Sequence, residues 1–139
     1  KISDLPIFLG GDHALSIGTV PGVARYAAEN GRTQFVLWLD AHPDIHSPLT
    51  TTSGNLHGTP VAYFTGRAGF ENVYPVLRHP IDPVNVCMMG IRSVDPSEND
   101  HLAQCNIDVH EMRAIDDVAL QILCDNFFKG SKTLMVFCM

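Results

Sequence analysis

Asp40, His42 and Asp44 stand at every second position directly after the apolar run Phe35-Val36-Leu37-Trp38-Leu39. In an extended segment successive side chains alternate faces, so these three point to one side. A helix would part His42 from the two carboxylates, and Pro43 would remove a backbone donor there. Left unpaired at a buried strand end, such groups repel one another and each buried charge costs roughly several kcal/mol in lost hydration. A divalent cation removes both costs. Carboxylate oxygen with imidazole nitrogen, without thiolate, suits Mn, Fe or Zn rather than a structural cysteine-type zinc site. A solvated Asp- and Pro-rich turn after a strand is the competing explanation.

Three further groups carry chemistry. Gly10-Gly11-Asp12-His13 lets the backbone approach whatever lies at its edge, with His13 as a further nitrogen donor, although the same residues also make an ordinary turn. Thr50-Thr51-Thr52-Ser53-Gly54-Asn55-Leu56-His57-Gly58 clusters hydroxyls and an amide suited to a small polar substrate bearing a carboxylate. An imidazole such as that of His57 can shuttle protons, while a hydrophilic loop with an exposed histidine is the plainer alternative. Asp95-Pro96-Ser97-Glu98 has the form of a capping box, with Asp95 as cap and Glu98 reaching back.

Apolar runs alternating with helical stretches position these groups. Strands are expected at Ile7–Leu9, Phe35–Leu39, Val84–Met89, Ile107–Val109 and Leu134–Phe137. Helices are expected from Ala14 to about Asn30, weakened early by Gly18, Pro21 and Gly22 and stopped by Gly31. Another opens at Thr59, which can cap, with Pro60 in first position. Two more are expected over Pro96–Cys105 and Ile115–Phe128, the latter with Val118, Ile122, Leu123 and Phe127 at helical spacing. Residues 41–58 read as a long irregular segment, and loops of that length are usually functional. Strand–helix alternation implies a parallel sheet with helices on both faces, whose ligands gather at the carboxyl ends of the strands.

Composition narrows the partners. With 139 residues and 45% hydrophobic content the chain holds one domain with a core, and a formal charge of -6 argues against nucleic acid or an anionic membrane. Cys87, Cys105, Cys124 and Cys138 form no C-x-x-C pair, which fits reduced thiols in a cytoplasmic protein. No run approaches the roughly 20 apolar residues of a membrane span. His79, His101, His110, Trp38, Met88 and Met89 have no motif around them and read as surface or core residues. The chain opens on Lys1 and closes on Phe137-Cys138-Met139 straight after an apolar run, so truncation at both ends is expected.

Gly10–His13, Asp40–Asp44 and Ser53–Gly58, in this order and at these separations, resemble the ureohydrolases, the arginase and agmatinase family of binuclear manganese hydrolases. The Thr50–Gly58 form and Gly90-Ile91-Arg92-Ser93-Val94-Asp95-Pro96-Ser97-Glu98 are similar to the arginase branch in particular. The resemblance implies a three-layer αβα fold, incomplete here, over residues 1–139. It implies two Mn2+ ions held by His13, Asp40, His42 and Asp44, with Asp40 bridging, and metal-hydroxide attack on the guanidinium carbon of L-arginine to give L-ornithine and urea. His57 matches the histidine that moves protons to the leaving amine, Ser53 and Asn55 match contacts to the substrate carboxylate, and Asp95 a contact to its amino group. Glu98 is carried as a further substrate-side residue, and the intact enzyme is expected to be a homo-oligomer.

Two departures matter. His46 stands where the arginase branch usually has Asn against the substrate carboxylate, which leaves open an agmatinase- or formiminoglutamase-like substrate. The family also places an Asp-x-Asp pair after a later strand, where this chain has Cys138 and Met139. An inactive metal-binding remnant is therefore a third reading, and the chain alone is expected to have little or no activity.

Overall fold

The computed structural model describes residues 7–117 and 134–138. Its centre is a parallel sheet of β1 (Phe35–Leu39), β2 (Val86–Ile91), β3 (Asp108–Glu111) and β4 (Leu134–Cys138), in the order β3-β2-β1-β4. Around it lie α1 (Ser16–Glu29), α2 (Pro60–Phe64), α3 (Pro96–Leu102) and α4 (Met112–Asp117). The architecture is a three-layer αβα fold. Among the described residues no helix is long and apolar enough to cross a membrane.

β1 and β2 are apolar throughout because both faces of the sheet are covered. Val36, Trp38, Val86 and Met88 face a large cluster with Val20 and Ala24 of α1 and Val61 and Phe64 of α2, while Leu37, Cys87 and Met89 face the other side with Ile115 of α4. α1 runs unbroken through Gly18, Pro21 and Gly22. Its buried residues Ser16, Val20, Ala24 and Ala27 lie on one face, so packing outweighs the poor local propensity. It stops where Gly31 takes φ 65° and Arg32 N–H donates to Ala27 O at 2.9 Å, a conformation that favours glycine.

Several expectations need correction. Ile7–Leu9 is not a strand: it has no sheet neighbour among the described residues, and Ile7 and Leu9 are 76% and 91% exposed. Apolar β-formers without a ladder partner leave their backbone groups to water, so hydrophobicity alone does not build the strand. β2 begins two residues late because Asp82 caps a 3-10 turn over Pro83–Asn85, accepting from Val84 N–H at 3.2 Å. Thr59 does precede α2 but does not cap it, since its hydroxyl donates back to Leu56 O at 2.8 Å. α3 closes at Leu102 rather than Cys105, β3 spans Asp108–Glu111, and α4 starts at Met112, directly after β3. The expected continuation of that last helix over 118–128 lies outside the described residues.

Candidate metal and substrate site

The carboxyl end of β1 is fixed by β2 and the segment that follows it. Asp40 N–H donates to Met89 O at 3.2 Å, and the N–H groups of Arg92 and Ser93 both donate to Ala41 O, at 2.9 and 3.0 Å. Gly90 makes this approach possible. It takes φ 89° at a shift in the β2–β3 register, and a Cβ there would stand 3.3 Å from Asp40 O. The chain then bends instead of continuing extended. Asp44 adopts the left-handed φ of 48°, and its carbonyl accepts from Val61 N–H of α2 at 3.1 Å.

That bend alters which groups meet. Asp40, Asp44 and His13 converge, with ligand atoms within 4.8 Å of one another. His13 comes from a 3-10 turn over His13–Leu15 capped by Asp12, whose Oδ1 accepts from Ala14 N–H at 2.9 Å. Its ring is buried against Trp38, with centroids 4.3 Å apart, and its Nδ1 lies 2.8 Å from Oδ2 of both Asp40 and Asp44. An imidazole Nδ1 has at most one proton to offer and two oxygens face it. Burial pushes the Asp44 carboxyl up, with the nearby Asp40 adding to the rise and the bond to His13 opposing it. His13 Nε2 is buried without a hydrogen-bond partner.

His42 is not drawn into this group. Its side chain is 58% exposed and its Nδ1 is 3.5 Å from Asp40 Oδ1, which also accepts from His42 N–H at 3.2 Å. The strict same-side alternation expected of 40, 42 and 44 is lost because β1 ends at Leu39. The crowded N, O, O donor set nevertheless fits a divalent cation: two carboxylates share one imidazole nitrogen at low exposure, and no thiolate is among them.

A second group is His46, Asp95 and Glu98. His46 Nε2 is 2.8 Å from Asp95 Oδ2 and 3.8 Å from Glu98 Oε1, while its Nδ1 is 3.2 Å from Thr50 Oγ1. Asp95 and Glu98 form the expected capping box of α3. Asp95 Oδ1 accepts from Glu98 N–H and Ser97 Oγ, each at 2.9 Å, and Glu98 Oε2 accepts from Asp95 N–H at 3.2 Å. The Glu98 backbone N–H chiefly lowers the Asp95 pKa, whereas burial raises that of Glu98. Arg67 ties the region together, donating from Nη1 to Ile45 O at 2.7 Å and meeting His101 of α3 through Nη2.

His57 stands on a 3-10 turn over Leu56–Gly58, with its half-exposed side chain 3.9 Å from Asp12 Oδ2. Ser53 and Asn55 lie in an exposed turn where Ser53 Oγ accepts from Asn55 N–H at 3.2 Å. The loop is anchored at its base, because His46 N–H donates to Gly58 O at 3.1 Å. Sequence reasoning missed Trp38 as the wall behind His13 and Gly90 as the residue that admits Asp40. A glycine inside an apolar strand was the available signal for the second.

Known proteins resemble this chain over most of its length. The family model described as "Arginase family" matches residues 1–136. The arginase of Brucella melitensis is 61% identical over 127 residues, covering 91% of this chain and 42% of that protein. Human mitochondrial arginase-2 is 38% identical over 130 residues, covering 88% of this chain and 34% of its own length. The crystal structure of Entamoeba histolytica arginase in complex with L-ornithine superposes with a TM-score of 0.80 at 29% identity, over 91% of this chain and 44% of that one. The chain thus spans less than half the length of these relatives.

Proposed function

Because the chain belongs to the arginase family, we propose that it carries the manganese-binding part of a site that hydrolyses L-arginine to L-ornithine and urea. The observation that carries this reading is the convergence of His13 Nδ1 with Asp40 and Asp44, two carboxylates on one buried nitrogen. Support comes also from the relatives named arginase, one of them solved with L-ornithine.

His13, Asp40 and Asp44 would hold the metal, and rotation of the exposed His42 ring would add a fourth side chain. When bound, divalent cations supply Lewis acidity and lower the pKa of water, which makes a nucleophile available near neutral pH. Trp38 fixes the plane of His13 and keeps water from that side. His57, half-exposed beside Asp12, would carry a proton between solvent and the departing amine. Ser53 and Asn55 would meet the substrate carboxylate and Asp95 its amino group, with Glu98 holding Asp95 in place. The same reading includes a homo-oligomeric assembly and a cytoplasmic location, to be tested by light scattering and cell fractionation.

A second reading, a different guanidino or formimino substrate, is favoured by one contact. Asp95 Oδ1 is committed to the cap of α3 and Oδ2 faces His46 at 2.8 Å. A substrate ammonium would therefore meet a carboxylate already shared. The experiment is a chimera in which this chain replaces the matching segment of the Brucella melitensis arginase, assayed with Mn2+ on arginine, agmatine and formiminoglutamate. Turnover fastest on arginine is expected, read as urea from the two guanidino compounds and as formamide from formiminoglutamate. Preference for another substrate would favour the second reading, and a folded chimera inert on all three would favour a metal-binding remnant.

A further inference from the structure

Strand register brings together a group that lies far apart in sequence. Cys87 on β2 pairs with Asp108 on β3, and His110 follows two residues later, so alternation puts all three side chains on one face. This is the face of Leu37 and Met89, opposite that of Trp38 and Met88. The Cys87 Sγ, an Asp108 oxygen and a His110 nitrogen lie within 4.8 Å of one another, and His110 Nε2 is 3.1 Å from Asp108 Oδ2. Cys87 is fully buried, the His110 side chain is 21% exposed and that of Asp108 48%.

We propose that Cys87, Asp108 and His110 form a zinc-binding site distinct from the His13–Asp40–Asp44 group. Sulfur, nitrogen and oxygen donors together suit zinc, whereas a thiolate is poorly matched to manganese. Zinc bonds of 2.0–2.3 Å imply ligand separations of roughly 3.3–3.7 Å around a tetrahedron. The Asp108–His110 pair at 3.1 Å needs to open by only a few tenths of an ångström, and Cys87 Sγ is within 4.8 Å of both. Binding takes the proton from the Cys87 thiol and releases it to solvent, leaving thiolate on the metal and the His110 proton on Nδ1. Half-exposed Asp108 leaves the fourth corner open to water. Asp108 and His110 on β3 stand two strands from β1, about 10 Å across the sheet, and Cys87 on β2 lies on the face opposite Trp38, against which His13 packs. Bound metal would pin β3 to β2 just before the register shift between Met89 and Ile91.

Cobalt substitution tests the site, because the His13 group offers no sulfur and cannot give a thiolate-to-cobalt charge-transfer band. Titrating the purified chain with Co2+ is expected to produce that band, with Zn2+ abolishing it on displacement. Cys87→Ser should remove the band, while serine at Cys105, Cys124 or Cys138 should leave it. His110→Gln, at a position outside the core, should weaken Zn2+ competition at least tenfold, and it covers the case in which Cys87→Ser does not fold. Absence of the band in the unaltered chain, its persistence in folded Cys87→Ser, or unchanged competition in His110→Gln would overturn the proposal.

Discussion

The group His13, Asp40 and Asp44 and the group His46, Asp95 and Glu98 have the same composition, one imidazole and two carboxylates, yet their oxygens do different work. In the first, both carboxylates turn to one Nδ1 at 2.8 Å, and burial leads the rise of the Asp44 pKa. In the second, backbone N–H groups take up part of the charge: Asp95 accepts from Glu98 N–H and its pKa falls, while Glu98 accepts from Asp95 N–H, which opposes the rise that burial imposes. Asp95 Oδ2 at 2.8 Å and, farther off, Glu98 Oε1 at 3.8 Å are left to face His46. Charge that the backbone relieves less, with His42 N–H on Asp40 Oδ1, asks for a cation. Charge that it relieves more makes a frame, from which a substrate can borrow one oxygen.

The largest predicted effect concerns the metal group in isolation. Asp40 and Asp44 supply two negative charges against the four of two manganese ions, so the 139-residue chain alone is expected to hold Mn2+ weakly and to release little or no urea. Metal analysis and a urea assay with added Mn2+ decide this, and turnover comparable with the chimera would break it. Within the chimera, Asp44→Asn or His13→Ala is expected to lower turnover by more than about 100-fold, beyond the range for groups that merely orient ligands. Retained manganese and turnover in Asp44→Asn would erase the distinction between the two groups.

His46→Asn should act more gently and on binding. Removing the imidazole frees Asp95 Oδ2 for a substrate ammonium, a gain of about 1 kcal/mol, or about fivefold in the KM for arginine. The KM for 4-guanidinobutyrate, which lacks the ammonium, should stay put, and manganese content should not change. A fall in both KM values, or loss of metal, would show that His46 does not act through Asp95.

What the sequence disclosed follows the range of each interaction. Asp40 and Asp44 at the end of β1, the parallel sheet and the α3 capping box are all local or periodic, and period-two and capping patterns reveal such features. The left-handed turn at Asp44 is not encoded by a glycine, so His42 was expected beside its neighbours rather than in solvent. Contacts between distant residues were legible where a motif marked both ends, as for His13 with Asp44 across 31 positions, and illegible elsewhere. His46 meets Asp95 across 49 positions, and His110 gained a chemical context only when register set it near Cys87. Ile7–Leu9 failed for the converse reason, since its pattern is that of a strand but a ladder needs a partner.

The smallest effect isolates the frame. Asp95→Ala removes the cap of α3 and is expected to cost about 1 kcal/mol of stability in urea unfolding at neutral pH, whereas Asp95→Asn, an equally good cap, should cost less. The pH dependence carries the sign. The folded pKa of Asp95 is lowered, so its contribution is present above the ordinary carboxylate range and is lost as pH falls through the lowered value. Glu98 is raised by burial and works oppositely, with its cost appearing as pH rises through its ordinary value and remaining above the raised one. The gap between the unaltered chain and Asp95→Ala should therefore narrow on acidification, although Glu98 persists in both. A gap independent of pH would mean that Asp95 holds α3 by packing rather than by charge. Added Mn2+ should leave that gap unchanged, because the oxygens of Asp95 are already occupied by backbone, Ser97 and His46.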